Sequence, residues 1–229
     1  MNHIDLNPLI GLGLTNLEAE IYAFLLAHSP ATGYGIAKGI AKPTANTYKA
    51  LESLQSKGAI IIDDSQTRLC RAVPMEELFG IFQRKFDSFK SEARSELAKI
   101  ERAPDDSRIY QLQSMDQVIS RFRGMFAKAR RKIVLDFFPL PAMELRRDIL
   151  AASERGVSIL MKLYLSMDLP GVETVVTNNG PQMVERWPGQ WANGVFDGEE
   201  YLLAFLSRDG RQVHQAVWSN NQYLSWIYY

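Results

Sequence analysis

The stretch between Pro43 and Gly58 limits what this chain can fold into more than any other. Proline is favoured in a first helical turn and glycine tolerates the left-handed conformation past a helix end, so the two bracket a helix running to about Lys57. After Gly58 the hydrophobic period falls to two. Residues 59–62 and 68–73 read as strands around the polar turn Asp63-Asp64-Ser65-Gln66. Upstream, Thr15-Asn16-Leu17-Glu18 has the spacing of a capping box, which predicts a helix over residues 16–27 with Leu17, Ile21, Phe24 and Leu25 facing inward. Pro30 and Gly33 interrupt, and residues 34–40 make a short second helix. Three helices followed by a hairpin is a winged helix-turn-helix pattern.

Major-groove readout needs a helix held against a packed partner, with short polar side chains outward. On the third helix Leu51 and Leu54 supply an inner face that Thr47 completes, leaving Thr44, Asn46 and Lys49 outward and Tyr48 at the edge. Asn pairs bidentately with adenine, Thr meets a thymine methyl or a phosphate, and Lys meets phosphate or guanine. An ordinary three-helix bundle with a solvated lysine face is the plainer alternative. Arg68 and Arg71 fit either a wing near phosphate or solvated strand positions.

Charge decides how such a chain would meet DNA. Lys plus Arg and Asp plus Glu each number 26 in 229 residues, so bulk positive potential is excluded. Residues 33–57 nevertheless carry Lys38, Lys42, Lys49 and Lys57 against Glu52, an excess of three positive charges. The interaction expected is a small local basic face.

Residues 74–101 read as one long helix. Leu78, Phe82, Phe86, Phe89, Ala93, Leu97 and Ile100 recur at steps of three and four, a narrow apolar stripe flanked by charge. Such a helix either bridges domains within a subunit or pairs with its copy. Pairing accounts better for a Phe-rich seam with charged flanks, and it would set two recognition helices on one DNA face.

Residues 102–107 read as a linker, giving an organisation of 1–73, 74–101, 102–107 and 108–229. Beyond the linker, strands are expected at 109–112, 133–137 and 157–164, alternating with helices at 115–130 and 141–154. That alternation implies a largely parallel sheet. Asp197-Gly198 signals a tight turn between strands at 194–196 and 201–206, a further strand is expected at 213–218, and a helix at 220–229 closes the domain. The fold class expected is α+β: an N-terminal winged helix, a long dimerisation helix and a C-terminal α/β domain.

Enzyme chemistry finds little support. His3, His28 and His214 are far apart and none has metal-ligand spacing with Cys70 or a carboxylate, and no glycine-rich phosphate cradle follows a strand. No metal or cofactor is expected. A single cysteine excludes an internal disulfide, and no cationic leader or membrane-length apolar run occurs, so a cytoplasmic protein without membrane partners is expected. All four tryptophans follow residue 186. Trp187-Pro188-Gly189-Gln190-Trp191 reads as a loop whose two indoles, with Asn193, Gln190 or Glu185, could hold a small ligand; a core or subunit interface is the competing reading.

Several of these residues carry a resemblance. Leu12-Gly13-Leu14-Thr15, Glu18-Ala19-Glu20-Ile21-Tyr22, and Thr47-Tyr48-Lys49-Ala50-Leu51-Glu52-Ser53-Leu54 ending at Lys57-Gly58 resemble the winged-helix domain of the TrmB family of transcriptional regulators. Pro74 and Leu78 fit that family's entry into its long dimerisation helix. More loosely, residues 129–137, Arg155-Gly156-Val157 and Phe196-Asp197-Gly198 are similar to the family's phospholipase-D-like effector domain. The resemblance implies a DNA-binding dimer whose C-terminal domain senses a metabolite, a sugar in the founding members. This sequence lacks those members' additional sugar-binding region, so a maltose-type ligand is not carried over. Thr44, Ala45 and Asn46 stand where the family often has basic residues, so the operator is not carried over either. Phospholipase D enzymes need His-x-Lys, whereas His214 is followed by Gln215 and Ala216, which predicts no phosphodiesterase activity.

The function expected is therefore a dimeric DNA-binding regulator controlled by a small-molecule effector, with Lys38, Lys42, Thr44, Asn46, Tyr48, Lys49, Arg68 and Arg71 at DNA and Trp187, Trp191, Asn193 and Glu185 at the effector. The alternative is a ligand-binding or protein-interaction module that uses the winged helix for docking, since that fold does not compel DNA binding.

Overall fold

A computed structural model describes residues 4–63, 67–101 and 106–227. His3, most of the turn at 63–66, most of the linker at 102–107 and the last two residues of the 220–229 helix lie outside the described residues. The chain is α+β and divides into two compact units, Met1–Arg102 and Ala103–Tyr229.

The first unit begins with α1 (Asn7–Gly11) and α2 (Asn16–His28), whose start carries the full reciprocal capping box between Thr15 and Glu18. Strand β1 (Ala31–Thr32) leads into α3 (Gly33–Gly39), and α4 (Thr44–Lys57) follows. Gly58 ends α4 in the left-handed conformation at φ 80°, as its residue type suggests. Strands β2 (Ile60–Ile62) and β3 (Leu69–Ala72) pair antiparallel, and β1 adds to β3 to give the order β1-β3-β2. The two-residue β1 is too short to announce itself by alternation.

Ile21, Leu25, Ile36, Leu51, Leu54 and Leu78 form a dry core between the helices and this sheet, each buried aliphatic contributing about 1.5–3 kcal/mol. Tyr22 is buried among them, and its hydroxyl donates to the Val73 carbonyl oxygen at 2.8 Å.

Helix α5 (Met75–Leu97) leaves this core after one to two turns. Leu78 is fully buried and Ile81 and Phe82 half-buried, but every residue from 83 to 100 is exposed. The exposed part of α5 is about 22 Å long at 1.5 Å per residue. The predicted stripe therefore splits: Leu78 and Phe82 serve the unit's own core, while Phe86, Phe89, Ala93 and Leu97 face solvent, as does Ile100 just beyond the helix.

The second unit runs β4 (Tyr110–Gln111), α6 (Met115–Lys128), β5 (Lys132–Phe137), α7 (Pro139–Glu144), α8 (Arg146–Glu154), β6 (Ser158–Leu163), β7 (Glu173–Val176) and α9 (Gly180–Arg186). It finishes with β8 (Gly189–Phe196), β9 (Glu200–Ser207), β10 (Val213–Ser219) and α10 (Gln222–Ile227). The seven strands form one sheet in the order β4-β10-β9-β8-β5-β6-β7.

The expected largely parallel sheet is corrected here. Parallel pairing joins β5 to β6 and β6 to β7, whereas β8, β9, β10 and β4 all pair antiparallel. The cause lies in the Asp197-Gly198 turn, which folds β9 straight back on β8, and β8 itself returns beside β5 in the opposite direction. The helix expected at 141–154 is two helices, starting at Pro139 and broken at Leu145, whose ψ of 7° leaves the helical range. Trp191, expected in a loop, lies inside β8.

One face of the sheet packs against α6 and α8 through Phe122, Phe126, Ile133, Leu135, Ile149 and Ile159, among others. The strict alternation of buried and less buried residues along β5 and β6 follows from that single covered face.

Candidate nucleic-acid interface and the aromatic cluster

Helix α4 is oriented by its inner residues. Thr47 is fully buried, its hydroxyl donating to the Pro43 carbonyl oxygen at 3.1 Å, and Ala50, Leu51 and Leu54 pack beside it. With that face fixed, Thr44, Asn46, Tyr48 and Lys49 are all exposed on the others. The Tyr48 ring lies over Gly33, where a Cβ would come within 2.7 Å of it, so a side chain at Gly33 would displace the ring.

The lysines are not equivalent. Lys57 makes a 2.7 Å ion pair with buried Glu18, and Lys42 pairs with Glu20 at 3.0 Å. Among the described residues Lys38 and Lys49 make no ion pair, and both are exposed. The local positive excess counted from the sequence is thus partly consumed inside the unit. Arg71 is exposed on β3 opposite Ile61, and Arg68 is exposed at the start of that strand with φ 45°. From α5, Lys85 Nζ donates to the carbonyl oxygens of Lys57 at 3.1 Å and Ser56 at 3.4 Å. It caps the negative end of α4 and ties α4 to α5.

In the second unit Trp187 and Trp191 meet and Asn193 stands two residues beyond Trp191 on β8, whereas Glu185 is exposed on α9 with its carbonyl oxygen bonded to Arg208. Trp187 and Trp191 meet edge to face at 5.2 Å. Trp191 also packs against Phe138 at 4.2 Å and Tyr164 at 5.3 Å, and its Nε1 donates to Asp136 Oδ1 at 3.0 Å. Asp136 in turn lies 3.6 Å from Lys162 Nζ. Asp136, Lys162 and Tyr164 were not singled out by the sequence reading. The available signal was a charged residue, Asp136 or Lys162, within the apolar run of each of two strands.

Cys70 is buried, and burial pushes its thiol above the ordinary value despite the positive charge of Arg68. His214 is exposed on β10 with its ring 5.3 Å from that of Phe205. Among the described residues no group of three or more His, Cys, Asp and Glu is placed to hold a metal ion, and no helix is long and apolar enough to cross a membrane.

Residues 9–76 match the family model described as the sugar-specific transcriptional regulator TrmB. The chain is similar to the uncharacterized protein YrhO of Bacillus subtilis (strain 168), at 24% identity over 203 residues that span 88% of this chain and 74% of that protein. Among solved structures, TrmBL2, an archaeal chromatin protein whose structure shows a novel mode of DNA binding, aligns over 97% of this chain and 94% of its own, with a TM-score of 0.42 and 19% identity. NucT from Helicobacter pylori aligns over 54% of this chain and 91% of its own, with a TM-score of 0.43 and 8% identity.

Proposed function

We propose that this chain, whose residues 9–76 match the TrmB family of transcriptional regulators, binds operator DNA as a homodimer under the control of a small effector. It acts by binding, without catalysis. Asn46 reads base edges, Thr44 and Tyr48 flank it, and Lys49, Lys38 and Lys42 meet phosphates together with Arg68 and Arg71 on the wing. The exposed part of α5 pairs with its copy through Phe86, Phe89, Ala93, Leu97 and Ile100. The C-terminal unit holds the effector near Trp187, Trp191 and Asn193, and Glu185 borders that region.

The observation that carries this reading is the sidedness of α4. Thr47, Ala50, Leu51 and Leu54 are buried while Thr44, Asn46, Tyr48 and Lys49 are exposed, which is the arrangement a recognition helix needs. Lys85 supports the coupling, because it links the dimer-forming helix to the end of α4. An effector that favours one dimer geometry would change operator affinity by its differential affinity for the two states, and by no more.

The test is selection of bound duplexes from a randomised library by the full chain, followed by affinity measurement between low and moderate salt. Enrichment of a two-fold symmetric sequence and a steep loss of affinity with salt are expected. Retention of no duplex at any salt would refute DNA binding.

A further inference from the structure

The sheet face not packed against α6 and α8 bears an ordered row of side chains. Cross-strand register aligns Val175, Lys162, Asp136, Asn193 and Leu203 on β7, β6, β5, β8 and β9. On one side of this row lie the aliphatic residues Leu160 and Val134. On the other lie the rings of Tyr164, Phe138 and Trp191. The polar row and the aliphatic residues line a trough of about 480 Å³. Asp136 and Lys162 sit near the carboxyl ends of the parallel strands β5 and β6, the end at which open α/β sheets hold ligands.

A third side chain supports the charged pair. Tyr164 is 1% exposed, and its buried hydroxyl interacts with both Lys162 and Asp136, holding that pair from beneath. Burial pushes its pKa above the ordinary phenol value, so it remains an O–H donor.

The chemistry of the row selects the ligand. Asp136 and Lys162 form one part-exposed pair of opposite charge, 3.6 Å apart. A monoanion drawn to Lys162 would face the Asp136 carboxylate, and a monocation drawn to Asp136 would face the ammonium. A neutral polyol needs a free aromatic face, but Trp191 is surrounded by Phe138, Tyr164 and Trp187. A ligand carrying both charges on adjacent atoms, with an apolar body, satisfies every group.

We propose that this trough binds a zwitterionic α-amino acid with an apolar side chain. Lys162 takes its carboxylate, Asp136 and the Asn193 amide oxygen take its ammonium, and its side chain lies over Val134, Leu160 and Leu203. Trp191 positions Asp136 through its indole N–H. This deepens the effector reading above and rests on the C-terminal unit being the sensing half.

The test is titration calorimetry of the full chain, without DNA, using L-leucine, 4-methylpentanoate, 3-methylbutylamine and maltose. Saturable binding of L-leucine is expected, with each singly charged analogue and maltose weaker by about tenfold or more. Lys162→Met and Asp136→Asn should each weaken L-leucine by a similar factor. Val175→Glu, at an exposed position outside the core, should also weaken it by setting a second anion beside Lys162, and an unchanged melting temperature would exclude misfolding as the cause. Absence of saturable heat with L-leucine and with L-phenylalanine, analogues binding as tightly as L-leucine, or maltose binding lost in Asp136→Asn would each overturn the proposal. A chain that binds its operator but no amino acid would refute this site alone, whereas one that binds L-leucine but no duplex would uphold the site and refute the DNA reading.

Discussion

Lys57 Nζ stands 2.7 Å from Glu18 Oε2 and 2.8 Å from the Gly13 carbonyl oxygen, so the last turn of α4 is fastened to the first turn of α2. The same carboxylate accepts the Thr15 backbone N–H at 2.6 Å. One buried acid therefore caps α2 and fixes the end of α4. Burial raises its pKa, but hydrogen bonds from Lys57, Ser53 and Thr15 outweigh burial and hold the carboxyl below its ordinary value of 4.5.

Glu18→Ala removes the cap and strands Lys57, so a loss of about 1–3 kcal/mol in unfolding free energy is expected by chemical denaturation of the full chain. The sign of the pH effect follows from the lowered pKa. Glu18 contributes fully above pH 4.5, and that contribution disappears as pH falls through its lower folded value. Denaturation curves between pH 6 and about pH 3 should show a smaller acid loss in Glu18→Gln than in the wild type. Equal pH dependence in both would contradict this role.

Asn46 and Lys49 should fail in different ways. Asn46→Ala should relax base preference, at about 1–3 kcal/mol on the preferred duplex and less on others. Lys49→Ala should weaken all duplexes alike and reduce the slope of log affinity against log salt by about 0.9. Anisotropy titrations across a small set of duplexes and salt concentrations separate the two. An unchanged specificity profile in Asn46→Ala would remove this residue from the base-reading face.

Asp197 organises the second unit as Glu18 does the first. Its carboxylate accepts the backbone N–H groups of Arg130 at 2.9 Å, Arg131 at 2.8 Å and Lys132 at 2.9 Å, while its own backbone sits at φ 54°. Burial opposes ionisation, yet those three donors and the Arg131 charge hold the carboxyl below its ordinary value. Asp197→Ala is expected to cost about 2–4 kcal/mol, because it strands several amides and places alanine in a left-handed turn. Asp197→Asn keeps an acceptor and tolerates that backbone, so its melting temperature should fall between alanine and wild type. Equal melting temperatures for the two variants would contradict the capping role.

Local signals carried much of this fold. The Thr15/Glu18 capping box, the Gly58 helix end and the Asp197-Gly198 turn each depend on residues within a few positions of one another, and each was legible. Strand order was not, because alternation along β5 says that one face is covered but not which strand lies beside it. The four residues of β7, Glu173, Thr174, Val175 and Val176, are all exposed and so show no alternation to read. The row Lys162-Asp136-Asn193 exists only through cross-strand register, and Glu18 reads as a surface helix residue until Lys57 is seen to cover it. In α4, burial of Thr47 and exposure of Asn46 and Lys49 followed directly from helical spacing.

Pairing through α5 underlies everything proposed for DNA binding, because one small face with two unpaired lysines offers few phosphate contacts and its copy doubles them. Phe86 and Phe89 are 61% and 65% exposed, so Phe86→Glu with Phe89→Glu leaves the core of the first unit untouched. Sedimentation equilibrium of wild type and double variant, with operator titrations on the same samples, is the most direct measurement. The expected result is a wild-type dimer with a steep salt dependence, and a folded monomeric variant that has lost most operator affinity and about half of the salt slope. A variant that stays dimeric, or a monomer that binds the operator as tightly as the wild type, would contradict pairing through this helix.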